Sequence, residues 1–337
     1  VAEPTVSAGY AQNLMQFAVA RGASATLLAE RSGIAPDALA DPDNRVPMAR
    51  YVALMKAAKE LCDAPALALD LGAEKDFKEI SVVGLICYAA PTMGAALMEL
   101  NRFSRLTAEV DIPVSGGRFQ LTPIDGELWL VDMRSDPNAF PEMTESTWSR
   151  FISETMRHFP DAAFAKAVHV THEAPDHAAD YERVLKVPVT FGSDRNAIMI
   201  DPSWLSIELH QPNLYVFGVL SEHADRLLKS LEKATTMRGR VESLAIPLLH
   251  TGDLTMEDIA RQVGMSRQSL YRRLKEEDVS FEALIDDLRH RMALHYLSGR
   301  KTSVNETAYL VGFSDPSSFS RAFKRWTGSS PRGRRAG

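Results

Sequence analysis

The sequence predicts an α+β N-terminal domain followed by an all-α domain in which two helix-turn-helix units are joined by a long helix. Three observations carry this reading. The spacing of apolar residues changes from three-and-four to two near Glu109 and returns to the helical period near Thr144, as expected where strands are inserted among helices. The C-terminal part contains one structural unit written twice. Charge is also divided unevenly, because from Arg238 onward 17 Lys and Arg stand against 12 Asp and Glu, a net +5, whereas the preceding 237 residues carry −11. A basic module on an acidic body points to a polyanion partner for the module.

Composition bounds the remaining possibilities. With 337 residues, 45% hydrophobic and 24% charged, the chain is long enough for two domains and too apolar for disorder. Its two cysteines, Cys62 and Cys87, lie outside any C-x-x-C spacing, so no disulfide framework or structural zinc site is indicated and a reducing cytoplasm is expected. The most apolar run, Val82 to Ala90, is about half a membrane span. The N-terminus has neither the basic start nor the apolar core of a signal peptide, and no membrane partner is expected.

Along the chain, Ser7 to Ala20, Met48 to Leu61 and Thr92 to Leu106 read as helices, with repeats such as Tyr51, Leu54, Met55 and Ala58. Pro36, Pro42, Pro47, Pro65 and Pro91 separate them. Then Val110, Ile112 and Val114 alternate up to Ser115-Gly116-Gly117, Phe119 and Leu121 up to Asp125-Gly126, and Leu128, Leu130 and Asp132 follow. These spacings predict a three-stranded meander with mostly local antiparallel pairing. Helix returns at Thr144 to Phe159, followed by strands at Ala167 to Thr171, Val187 to Phe191 and Ala197 to Ile200, and by a polar helix from Ser221 to Thr235. The linker is expected at Thr236 to Arg240.

The duplication is read by subtraction. Ala260, Gly264, Met265 and Ser266 recur 48 residues later as Ala308, Gly312, Phe313 and Ser314; past one inserted residue, Leu270, Arg272, Leu274 and Lys275 recur as Phe319, Arg321, Phe323 and Lys324. Thr255 to Asp258 and Ser303 to Glu306 resemble capping boxes, the first with Asp in place of Glu. The small Ala260 and Ala308 allow a close helix crossing, and Gly264 and Gly312 allow a sharp turn. Ser266, and Asp315 followed by Pro316, are placed to start the second helices.

At 100° per residue, Leu270 and Leu274 centre one face of the first of these helices, with Gln268, Arg272 and Lys275 opposite and Tyr271 on the flank. In the other copy Phe319, Phe323 and Trp326 face inward and Ser317, Arg321 and Lys324 outward. Arg can pair with a guanine edge, Gln can read adenine and Lys can neutralise phosphate, so each outward face is equipped for the major groove. Between the copies, Phe281 to Leu297 forms a helix of about 25 Å, able to hold the two recognition helices near one DNA turn apart, about 34 Å.

The segment Gly312 to Pro331, Gly-Phe-Ser-Asp-Pro-Ser-Ser-Phe-Ser-Arg-Ala-Phe-Lys-Arg-Trp-Thr-Gly-Ser-Ser-Pro, resembles the C-terminal signature of the AraC/XylS family of transcription regulators. Val263 to Lys275 and the connecting helix resemble its first half. Val46 to Met55, His172 to Tyr181, and Val187 to Phe191 with Arg195 to Ala197 resemble the arabinose-binding-type sensor domain of one branch of that family. The resemblance implies a ligand-responsive regulator, usually an activator and often dimerising through its N-terminal part, with double-stranded DNA and RNA polymerase as partners. It divides the chain into residues 1–235 for ligand sensing and dimerisation and 236–337 for DNA binding. By position, Gln268, Tyr271 and Arg272 match the base-facing places of the first recognition helix, and Ser317 and Arg321 those of the second. Thr307 and Arg334 depart from the aliphatic and aromatic residues usual at those places; both are expected to loosen the second unit, unless Arg334 serves as an extra phosphate contact.

Other chemistry finds less support. His169 and His172 fall on opposite faces of a strand and no cysteine or carboxylate pair completes a metal set, so a structural role is expected for them and for His177. Cys62 and Cys87 read as small hydrophobes. Phosphate-binding glycine loops, H-E-x-x-H and G-x-S-x-G are absent from the sequence, and neither an enzyme nor a cofactor is expected. A small-molecule effector is expected in a cavity between the apolar helices and the strands, its lining unassigned. The alternative is an interaction protein that sequesters another regulator through its N-terminal domain.

Overall fold

The computed structural model describes residues 3–113, 117–209, 214–252, 254–298 and 302–331. Val114, Ser115 and Gly116 of the first expected turn, and Arg332, Arg334 and Arg335, lie outside the described residues. The chain divides into two compact units, Glu3–Leu228 and the residues from Lys229 on.

In the first unit, β1 (Thr5–Ser7) pairs antiparallel with β2 (Arg45–Pro47), bringing together the starts of α1 (Ala8–Ala20) and α3 (Met48–Leu61). Between them α2 (Ala25–Ser32) is capped by Ser24 and ends at the left-handed Gly33. Leu14, Leu28, Leu54 and Ala58 close a core over these helices. The helix α4 (Leu67–Glu74) crosses α8 (Pro141–His158) closely, where Gly72 faces Ser146 and Ser149; a Cβ on Gly72 would lie 2.0 Å from the Ser149 hydroxyl. Ser81 and Thr92 cap α5 (Val82–Ala89) and α6 (Met93–Arg102). The helix expected over Thr92 to Leu106 is broken at Phe103, whose buried ring turns the chain before the short α7 (Ser104–Thr107).

The sheet corrects the expected meander. Strands β3 (Phe119–Ile124) and β4 (Glu127–Asp132) form the hairpin around Asp125-Gly126, but the described residues from Glu109 to Pro113 form no strand. There the Glu109 N–H donates to Thr5 and the Ser135 N–H to Asp111. Pro113, which has no N–H to give, is a poor ladder residue. The third partner is β7 (Ala197–Ile200), which lies between β4 and β5 (Ala165–His169) and is antiparallel to both. Beyond β5, β6 (Val189–Thr190) is parallel, and α9 (Ala178–Leu185) lies between β5 and β6 in sequence. The order β3-β4-β7-β5-β6 is therefore mostly non-local. The short apolar run of β7, with Ala197, Ile198 and Ile200 buried, suits a central strand covered on both faces.

The division between units falls within α10 (Leu214–Thr235). The expected linker folds instead: Thr236 accepts from the Gly239 N–H and caps α11 (Met237–Ala245), and Met237 and Val241 are buried. The second unit continues through α12 (Met256–Val263), α13 (Arg267–Glu276), α14 (Phe281–Ser298), α15 (Val304–Leu310) and α16 (Pro316–Thr327). Phe281, Leu284, Ile285 and Leu288 of α14 join the core of the first helix pair, whereas Ala293 and Leu297 join that of the second. One helix thus belongs to both hydrophobic cores, so the two helix pairs share a stiff axis. No helix among the described residues is long and apolar enough to cross a membrane.

Candidate functional site

The second unit uses the same local chemistry twice. Thr255 caps α12 by accepting the Asp258 N–H; Ser303 caps α15 by accepting the Glu306 N–H, and Glu306 in return accepts the Ser303 N–H at 2.6 Å. Both first helices end beside a left-handed glycine, Gly264 at φ +78° and Gly312 at φ +81°. A Cβ on Gly264 would meet nothing within 4 Å, whereas on Gly312 it would lie 2.1 Å from the Leu249 carbonyl oxygen. Ser266 starts α13 by accepting from Ser269, and Asp315 starts α16 by accepting from Ser317 and Ser318, with Pro316 in the first turn.

These caps orient α13 and α16 so that Leu270, Leu274, Phe319 and Phe323 are buried. Gln268, Tyr271, Arg272 and Lys275 on α13, and Ser317, Arg321 and Lys324 on α16, are all exposed. Among the described residues Arg272 makes one ion contact, with Glu276 at 3.9 Å, and Arg321 donates to the Ser318 hydroxyl at 2.9 Å. Arg325 differs, because Asp286 holds it at 3.0 Å and also accepts from the Trp326 indole at 2.8 Å. Its guanidinium is paired within the unit although the side chain stays exposed. Thr307 is fully buried, but its hydroxyl donates to the Ser303 carbonyl at 2.9 Å, which satisfies the polar group that an aliphatic residue would lack.

The first unit contains a cavity of about 550 Å³. One wall is apolar, from Met93, Ala96, Leu97 and Leu100 of α6. From α8 come Arg150, Glu154 and His158 at successive turns, a spacing that aligns side chains along one face. Phe119, Phe151 and Trp204 enclose the remainder. Arg118 also reaches the cavity, but its Nε and one Nη bind Asp132 at 3.1 and 2.9 Å, and Arg134 binds the same carboxylate at 2.8 Å. Burial would raise the Asp132 carboxyl, yet the two guanidinium groups outweigh it and hold it below the usual range. Glu154 shows the opposite balance: burial pushes it up to about 7, with Arg150 only partly opposing.

Sequence patterning did not single out Arg150 or Glu154. Their signal was present as charges at helical intervals on α8, beside the apolar Trp148 and Ile152, but only the tertiary fold turns that face into a cavity. His169, the last residue of β5, lies against Trp129 and bonds Ser193, whereas His172 lies beyond the end of that strand and, with His177, meets Tyr181 and Glu145. The described residues contain no group of three or more side chains able to hold a metal ion. Cys87 is buried, as expected of a small hydrophobe; Cys62, at the end of α3, is half-buried.

Comparison with known proteins agrees with this division. A family model described as the arabinose-binding N-terminal domain of AraC transcription regulators matches residues 22–209, and a helix-turn-helix domain model matches residues 247–336. The chain is 27% identical over 336 residues to the ornithine utilization regulator of Pseudomonas aeruginosa, covering 97% of this chain and 95% of that protein. It is 37% identical over 106 residues to the regulator VirS of Mycobacterium tuberculosis, covering 32% of this chain and 31% of that one. Among solved structures, the transcriptional regulator CdpR of Pseudomonas aeruginosa is 22% identical and aligns over 80% of this chain and 86% of that chain with a TM-score of 0.36.

Proposed function

We propose, from the premise that this chain belongs to the AraC family of DNA-binding transcription regulators, that it is an activator controlled by a small molecule bound in its N-terminal domain. The C-terminal domain binds double-stranded DNA, and α13 and α16 enter successive major grooves. Gln268, Tyr271 and Arg272 face bases from α13, Ser317 and Arg321 from α16, and Lys275 and Lys324 supply phosphate contacts. The observation that carries this reading is the exposure of donor-bearing side chains on the same face of two duplicated helices, over cores that share α14. A helix of 18 residues is about 27 Å long, a length suited to spacing two readers on one side of a duplex. One chain can therefore engage an asymmetric bipartite site.

Residues 1–235 serve as the sensing and dimerisation part and 236–337 as the DNA-binding part, and RNA polymerase is the partner through which activation is delivered. The experiment is binding of the full chain to its own upstream duplex and to a scrambled duplex at several salt concentrations, followed by transcription from that promoter in vitro. A preference of about a thousandfold or more for the native duplex, with transcript levels that rise when protein is added, is the expected result. Equal binding to both duplexes would refute sequence-specific recognition, and a fall in transcript would refute activation.

A further inference from the structure

We propose that the cavity of the N-terminal unit takes an amphipathic monocarboxylate, a short acyl or arylalkyl acid, with its carboxylate on Arg150 and its apolar body along α6. The inference rests on reading this domain as ligand-binding, and deepens it by naming the ligand's chemistry.

Charge is the first argument. Lys78, Arg118 and Arg150 line the cavity against one carboxylate, Glu154. Two of these cations have carboxylate partners, Arg118 on Asp132, which it shares with Arg134, and Lys78 on Asp76 at 3.3 Å, which it shares with Arg157. Arg150 is not matched. Its residue is only 9% exposed, it gives one hydrogen bond, to the Lys75 carbonyl at 2.6 Å, and no carboxylate among the described residues forms an ion pair with it. A buried guanidinium without a counter-ion is unfavourable, and its planar fork suits a carboxylate better than a hydroxyl. Glu154 supplies the missing charge poorly. One of its oxygens accepts the Phe77 N–H, and burial keeps part of it protonated near neutrality, so that it can donate to a ligand oxygen.

Shape and polarity supply the second argument. The α6 residues that line the cavity, Met93, Ala96, Leu97 and Leu100, offer a polyol nothing to bond. A free sugar would leave buried hydroxyls unpaired there, whereas a hydrocarbon body is matched along its length. The volume of about 550 Å³ falls within the range usual for small-molecule sites. A diamine or dibasic amino acid would set a second positive charge beside Arg150.

The test uses the full chain without DNA, titrated calorimetrically with octanoate, 4-phenylbutyrate, 1-octanol, octylamine and L-arabinose. Octanoate is expected to bind about tenfold or more tightly than 1-octanol, with octylamine and arabinose weaker still. Arg150→Gln is expected to abolish the preference of acid over alcohol while retaining the alcohol, and Ala96→Phe to abolish binding of both by filling the cavity. Equal affinity of the native chain for octanoate and octanol would overturn the proposal without recourse to any variant. So would octanoate binding that survives Ala96→Phe. Adding the upstream duplex separates this proposal from effector control: an acid that binds but leaves DNA affinity and transcription unchanged upholds the ligand class and refutes the control.

Discussion

Gly264 and Gly312 occupy the same place in the two copies of the turn, with φ of +78° and +81°, so the same substitution at each isolates what surrounds the backbone. Alanine in this left-handed conformation costs about 1 to 2 kcal/mol, offset by about 0.4 to 1 kcal/mol from the stiffer unfolded chain. Gly264→Ala should therefore cost about 1 kcal/mol, because its Cβ would enter open space. Gly312→Ala adds a Cβ 2.1 Å from the Leu249 carbonyl, backbone that cannot rotate away, and the repacking adds about 1 to 3 kcal/mol. The expected total is about 3 kcal/mol. Urea titration with pulsed hydrogen exchange on peptides from residues 254–331 would measure both variants. Equal destabilisation would refute the view that the second turn is locked against the 3-10 stretch Ile246–Thr251.

Three further outcomes test the rest of the reading. Arg272→Ala and Arg321→Ala should each cost about 1 to 3 kcal/mol on the native duplex and relax preference at a few bases; unchanged binding in both would remove the assigned recognition faces. Lys324→Ala should weaken all duplexes about equally and lower the salt slope by about one, whereas a loss confined to one base step would make it a reader of sequence. Glu154 keeps its proton up to about 7 in the folded chain against an ordinary 4.5. As pH rises through that window the unfolded chain ionises first, so native stability falls, by up to about 3 kcal/mol. Glu154→Gln should remove that decline, and parallel stability curves for the two proteins between pH 4.5 and 7 would contradict the burial argument.

Much of the second unit was legible in the sequence because its determinants are local. Caps at Thr255, Ser266, Ser303 and Asp315, and turn glycines at Gly264 and Gly312, act over three or four residues, and the helical spacing of Leu270, Leu274, Phe319 and Phe323 marks the inward face. The Thr236 to Arg240 segment misled because Gly239 and the flanking charges resemble a linker, whereas Thr236 caps a helix whose Met237 and Val241 are buried. In the first unit, alternation located β3 and β4 and a short apolar run located β7, but not their order, because a strand's pattern states which faces are buried and not which strand lies beside it.

The sequence by itself determined that two helix-turn-helix units follow a mixed α and β domain, and which side chains of α13 and α16 face outward. Helical period and capping chemistry depend on near neighbours, and those are written in order along the chain. Only the tertiary structure decided that β7 divides β4 from β5, that Asp286 pairs with the exposed Arg325, and that Arg150, without an ion-pair partner among the described residues, lines a cavity with the apolar residues of α6. Each of these rests on contacts between residues tens of positions apart, where the burial of a charge is set by whatever the fold brings against it.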